Sequence, residues 1–314
     1  MPEAAPWPPL PYADWKHTCA HVHMCAQIVG KVRLAQTPWV NHSWHATLYV
    51  TPRGLTTGAI PHGDRIFDLS FDFIAHALRI RVSDGGERSM KLEPRSIASF
   101  HENVMEALAA LNITVTIDEH PNEIADGIPF THDHAVRPYD EAYVHRFWRA
   151  LVQADRVMKR FRTSFIGKVS PVHVFWGGFD LAVTRFSGRE APPHPGGVPA
   201  LPDEITREAY SHEVSSAGFW PGGPGFEQAA FYSYAYPEPS GYRDARVKPD
   251  AAFFHQELRE FILPYDSVRS ASDPERTLLD FLYSTYEAAA ISGKWDRAHL
   301  ESPEGLPRIP RHVG

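Results

Sequence analysis

In REAYSHEVSSAGFWPGG (207–223), His212 stands beside Glu213, two residues after Tyr210 and ahead of two serines and a ring-rich glycine loop. Imidazole, carboxyl and phenol make a general acid/base set, since each can hold or release a proton at a reacting centre. A pocket role for His212 is expected. Asp180 lies between Phe179 and Leu181 in a segment that reads as a strand, where an unpaired carboxylate is costly. It needs a partner, with Lys168 and Arg185 as candidates, and is either a structural ion pair or an acid/base group with a shifted titration. Lys31 and Lys168 each follow glycine in a Gly-Lys-Val triplet. An ammonium there can bind an anion or, when desolvated, act as a base; the competing reading is a solvated lysine, or one bonded to the last carbonyls of a helix.

Arg53 and Arg185 follow two Val-Thr pairs and could fork onto a carboxylate or phosphate, or tie loops to backbone carbonyls. Asn41–Thr51 alternates as a half-buried strand, placing His45 with Tyr49 on a mixed face and His42 on the other, so the two histidines do not share a ligand. Trp176 and Trp220 complete the ring surfaces. The expected cleft thus takes His212, Asp180, Lys168 and His45 as its catalytic candidates. Lys31, Tyr49, Arg53, Trp176, Arg185 and Trp220 are its ligand-binding candidates. His17, Cys19, His21, His23 and Cys25 fit no standard zinc spacing, and no metal is expected. No G-x-S-x-G elbow, H-E-x-x-H, Walker loop or G-x-G-x-x-G occurs, so the sequence identifies no cofactor.

These residues need elements to hold them. A helix is expected from Asp14, and a second over Tyr139–Arg162, where Val144, Phe147, Trp148, Leu151, Val152 and Val157 form an apolar stripe. RIFDLSFDFIAHALRIRV (65–82) changes phase, which a one-residue bulge between two strand segments explains, with Ser89–Leu92 as partner strand. Ser99-x-x-Glu102 reads as a capping box opening a helix to about Leu111, followed by a strand in NITVTI. Strands are expected at Val172–Phe186, Tyr210–Ser216 and Ala229–Tyr236, and helices near Asp250–Ile262 and Pro274–Ala290.

The chain has 314 residues, 43% hydrophobic and 22% charged, with a net charge of -7. That is a globular composition with no basic block for nucleic acid and no apolar run for a membrane. The proline-rich start lacks the pattern of a signal peptide, and two cysteines make no disulfide framework, so a cytoplasmic location is expected. The order helix, GKV, strand, Gly/Pro loop, strands, helix occurs twice. It implies an α+β fold of two similar halves related by a pseudo-two-fold, with antiparallel sheets flanked by helices. The boundaries are a 1–12 arm, a 13–118 first half, a 119–138 connecting loop and a 139–314 second half.

QIVGKVRL, LYVTPRGLTTGAIP, FIGKVSPVHVFWGGFDLAVTRFSGR, EAYSHEVSSAGFWPGG and AAFYSYAYPEP, in this order, resemble the bacterial domain-of-unknown-function family 5996 from about Trp15 to Trp295. The resemblance implies boundaries and a fold but no activity. Two readings stand: an enzyme using acid/base chemistry on a small polar or anionic metabolite between the halves, or a non-catalytic binding module whose aromatic loops (Phe219-Trp220, Phe231–Tyr236) grip a ligand or partner.

Overall fold

The computed structural model describes residues 5–310, so part of the N-terminal arm and the end of the tail lie outside it. Helix α1 (Tyr12–Gln36) is buried along most of its length between Trp15 and Arg33, and therefore runs through the interior rather than over the surface. Strands β1 (Tyr49–Thr51), β2 (Gly54–Thr56), β3 (Ile60–His62), β4 (Arg65–Asp72), β5 (Ala77–Val82) and β6 (Glu87–Lys91) follow, then helix α2 (Ile97–Ala109). They form one antiparallel sheet in the order β1-β2-β4-β5-β6, with β3 also on β4. Helix α3 (Glu141–Arg162) begins at Asp140, whose carboxylate caps the first backbone amides, and buries Val144, Phe147, Leu151 and Val157 as the stripe predicts.

The second sheet is assembled from β7 (His173–Phe175), β8 (Asp180–Glu190), a short helix α4 (Asp203–Ala209), β9 (His212–Trp220), β10 (Ala230–Tyr236), β11 (Phe253–His255) and β12 (Glu260–Pro264). Its strand order is β11-β12-β10-β9-β8-β7, again antiparallel. Helices α5 (Tyr265–Arg269), α6 (Pro274–Ser292) and α7 (Arg297–Leu300) close the described chain. The fold is α+β with two antiparallel sheets. Odd-numbered residues of the second sheet (Leu181, Val183, Ala217, Phe219, Phe231, Phe261, Leu263) are buried, with α3 and α6 packed against the strands. The even-numbered face is mixed, with Ala182, Phe186, Val214 and Ile262 beside the polar side chains of Asp180, Thr184, Ser216, Tyr232 and Tyr234. A backbone bridge, Leu48 N to Val174 O at 2.9 Å and Val174 N to Leu48 O at 2.8 Å, ties the first half to the edge strand β7.

Several local expectations change. The Asn41–Thr51 strand shrinks to Tyr49–Thr51, because 41–43 form a helical turn with His42 and Ser43 in left-handed backbone. The phase change in 65–82 is a hairpin, not a bulge: Asp72 Oδ1 accepts from the amides of Ile74 and Ala75 and turns the chain. Ser96, rather than Ser99, caps α2. NITVTI forms no strand, and Asp250–Ile262 is the β11–β12 hairpin instead of a helix. There, Phe254 pairs across from Phe261 with centroids 5.2 Å apart, a cross-strand contact that outweighs the helical propensity of QELRE.

The two Gly-Lys-Val triplets also differ. Lys31 lies inside α1, whereas Lys168 lies in the irregular segment after α3. Gly30 is required by close packing, since a Cβ there would fall 2.2 Å from the Trp176 indole. The triplets are thus not equivalent turns.

Candidate functional site

Alternation on β8, β9 and β10 puts Asp180, Ala182, Thr184, Ser216, Gly218, Tyr232 and Tyr234 on the mixed face of the second sheet, in register rows Ala182–Gly218–Tyr232 and Thr184–Ser216–Tyr234. Glu260 joins them from β12, on the same face as Ile262. Gly218 is the gap that makes the arrangement possible: a Cβ there would lie 2.3 Å from Tyr232 Cζ and 2.4 Å from the Leu181 carbonyl. Across that gap Tyr232 donates its hydroxyl proton to Asp180 Oδ2 in a short hydrogen bond. Tyr210, just beyond α4, bonds Tyr234 hydroxyl to hydroxyl at 2.7 Å, and Ser216 Oγ meets Thr184 Oγ1 at 2.9 Å.

A third carboxyl arrives from the connecting loop. Gln27 on α1 clamps the Asn122 backbone from both sides: its Oε1 accepts from Asn122 N at 2.8 Å and its Nε2 donates to Asn122 O at 2.8 Å. Glu123 follows with φ 62°, a strained left-handed conformation for a glutamate, and its amide donates to Pro199 O at 2.9 Å. Asn122 Nδ2 also donates to Ala200 O at 2.7 Å, so two loops are laced together above the sheet. The Glu123 carboxyl comes down on Gly177-Gly178. A Cβ at Gly178 would lie 2.9 Å from Asp180 Oδ1 and 3.5 Å from Glu123 Oε2, so both carboxyls flank one glycine. His23 fixes that turn by donating from Nε2 to Gly177 O at 2.8 Å, with its ring stacked on Phe179 at 5.0 Å. His194 stacks on Tyr210 at 4.8 Å and forms the aromatic wall.

Asp180, Glu260, Tyr210, Tyr232 and Tyr234 are half-buried, and Glu123, exposed as a residue, tucks its carboxyl end against Gly177-Gly178, which describes a recess, not a core. Its electrostatics are one-sided. Among the described residues, none of the three carboxyls is ion-paired with Lys or Arg. Burial pushes Asp180 up to about 6, opposed by the Tyr232 hydrogen bond, which favours the charged form. Burial and the neighbouring Asp180 push Glu123 up to about 7 and Glu260 up to about 8. Asp180 thus ionises first, and its charge keeps protons on the other two. Two carboxyls with separated titrations supply an acid and a base at the same pH.

Of the catalytic and ligand-binding candidates only Asp180 lies in this cluster, joined by Tyr210 from the expected acid/base set and by Tyr232 and Tyr234 from the expected aromatic segment. The partner of Asp180 is Tyr232, not Lys168 or Arg185. Arg185 is fully buried, stacks on Phe161 with its guanidinium carbon 3.6 Å from the ring centroid, and donates to Phe161 O and Ser164 Oγ. Lys31 bonds Asp118 at 3.3 Å and lies over Trp176, whose Nε1 donates to Ala46 O at 2.7 Å. Arg53 pairs with Asp72 at 2.7 Å. Tyr49 stacks under Arg33, and His45 Nδ1 accepts from Val40 N at 3.1 Å. Trp220 stacks on Phe226. His212 bonds Ser211, while Glu213 is taken by Arg189 at 2.6 Å, so that pair does not form an acid/base set. Lys168 contacts His42.

Glu123 and Glu260 escaped the sequence reading: one follows Asn122, which is held by a residue 95 positions away, and the other fell in a segment read as helix. The signal for Tyr232 and Tyr234 was present in the period-two rings of FYSYAY. No group of three or more His, Cys, Asp or Glu among the described residues is arranged to hold a metal ion. No helix among them is long and apolar enough to cross a membrane. No curated protein and no solved structure matches the chain. A family of unknown function, DUF5996, matches residues 7–302, and the chain belongs to that family.

Proposed function

We propose that the recess is the active centre of an enzyme that moves protons on a small polar molecule, neutral or cationic. The observation that supports this most strongly is the carboxyl pair at Gly178, in which Asp180 accepts the Tyr232 hydrogen bond and Glu123 does not. In the neutral range Asp180 is the base, steadied by Tyr232, and Glu123 is the acid that protonates a leaving or developing anionic oxygen or nitrogen. Glu260 stays protonated deeper on the sheet and donates a hydrogen bond. The Asp180 carboxylate, without a paired cation, repels an anion, which favours hydroxyl- or amine-bearing molecules. The glycines at 177, 178 and 218 leave room for the acid groups to approach, and the Tyr210–His194 wall offers a ring face. A non-catalytic binding module would not need two acids titrating apart.

The test is turnover of a metabolite extract followed by mass spectrometry. Wild-type protein is expected to deplete a specific neutral or cationic compound with a bell-shaped pH dependence, and Asp180→Asn and Glu123→Gln to abolish that depletion. Binding of a compound without turnover, or an Asp180→Asn variant as active as wild type, overturns the proposal.

A further inference from the structure

We propose that Lys168 and His42 form a second reactive centre, which condenses with the carbonyl group of a small aldehyde or ketone. Lys168 Nζ lies 2.7 Å from His42 Nε2. The other ring nitrogen of His42, Nδ1, is 2.6 Å from the Ala209 carbonyl, an acceptor only, so Nδ1 carries the proton and Nε2 presents its lone pair to the lysine. His42 is fixed in that pose. Its backbone amide donates to Glu208 Oε2 at 3.1 Å, its ring packs on Phe186 at 4.5 Å and Trp44 at 5.1 Å, and both His42 and Ser43 hold left-handed backbone. Two consecutive residues in that conformation mark a segment the surroundings over-determine, as at functional sites.

Among the described residues no carboxylate is ion-paired with the amine, whereas Lys31, Lys91 and Lys159 are paired with Asp118, Glu93 and Asp155. Glu208 from α4 and His212 from β9 are the other titratable groups near His42, and Glu208 also acts on Lys168. Burial lowers the lysine, against the opposing pull of Glu208, and lowers the histidine as well, which favours a free amine beside a neutral imidazole. Lys168 is nevertheless exposed on one side, so a ligand can reach it. The centre is separate from the acid recess: Asp180 and Phe186 stand six residues apart on one face of β8, roughly 20 Å at the rise of an extended strand.

The amine lone pair attacks the carbonyl carbon. A C–N bond forms, the C=O π pair moves to oxygen, and one N–H proton passes through His42 Nε2 to that oxygen, giving the carbinolamine. The nitrogen lone pair then expels the hydroxyl, which leaves as water with the nitrogen's second proton, again carried by His42 Nε2, and the imine remains. Amine plus carbonyl gives imine plus water, with no redox partner. The half-buried ring of Trp44, 5.5 Å from the amine, favours an aromatic or apolar carbonyl compound.

The full chain is incubated with benzaldehyde and sodium cyanoborohydride near neutral pH, and the adduct on each lysine is quantified by peptide mass spectrometry. Lys168 is expected to be trapped about tenfold faster than Lys16, Lys91 or Lys294, all exposed, as a positioned base and partial desolvation together imply. His42→Asn, which tolerates left-handed backbone and keeps the turn, is expected to bring the Lys168 rate to that of the others while circular dichroism stays native. Trapping of Lys168 at the common rate in the wild type overturns the proposal. So does an undiminished rate in a folded His42→Asn variant.

Discussion

Asp180 and Tyr232 carry the clearest consequence of a single contact. The phenol donates to the carboxylate and stabilises its charge against burial. Tyr232→Phe is therefore expected to raise the Asp180 titration above its present value of about 6, moving the acid limb of any pH–rate profile upward with little loss of fold. The same chemistry sets a stability dependence. A free glutamate titrates near about 4.3, while folded Glu260 is pushed to about 8. Between those values the folded chain holds more protons than the unfolded one, so stability falls as pH rises through that window. Glu260→Gln removes this dependence. It is expected to stabilise the protein by about 2 kcal/mol at pH 8, after discounting for partial solvent contact, and by little at pH 4. Denaturant titrations of both proteins across pH check it; equal stabilities at pH 8 would contradict the raised Glu260.

At the scale of elements, the loop carrying Glu123 is held from α1 by Gln27 at Asn122 and by Lys31 at Asp118. Gln27→Ala removes both bonds to the Asn122 backbone and leaves a buried donor and acceptor unmet, costing about 1–3 kcal/mol. Hydrogen exchange is expected to quicken in residues 118–124 more than in β8 or β10. Gly218→Ala is expected to cost more, because its methyl would meet the Leu181 carbonyl as well as the Tyr232 ring, and backbone cannot swing aside. The elements themselves were unevenly legible. Helix α3 announced itself through its apolar stripe, and β10 through its alternating tyrosines. The β11–β12 hairpin did not, because QELRE favours helix locally and only the Phe254–Phe261 pairing decides otherwise. Asp180 was readable as a carboxylate out of place in a strand. Its companions were not, since Glu123 and Glu260 acquire their meaning from contacts distant in sequence.

For the whole molecule, one cluster of buried side chains runs from Trp7 through α1, both sheets and α6 to Trp295. Trp7 meets Phe231 and Tyr265 with centroids 6.4 Å and 6.1 Å away, so the N-terminal arm is bound to the second sheet. Trp7→Ala is expected to cost about 3–5 kcal/mol, read as a lowered denaturation midpoint. The repeat suggested by the Gly-Lys-Val triplets has no counterpart at those lysines. What joins the halves at the site is the clamp from α1 to the loop and the Leu48–Val174 bridge. The recess is built from the second sheet and the loop that carries Glu123, with α1 holding that loop in place.

The central claim is that three unpaired carboxyls share this recess and retain protons where ordinary ones have lost them. Carbon-13 NMR titration of the Asp and Glu side-chain carboxyls, assigned through Asp180→Asn, Glu123→Gln and Glu260→Gln, measures it directly. The account predicts midpoints near 6, 7 and 8 respectively, with the Glu123 midpoint falling when Asp180 is replaced by Asn. Three carboxyls titrating together near about 4, unaffected by one another, would contradict it.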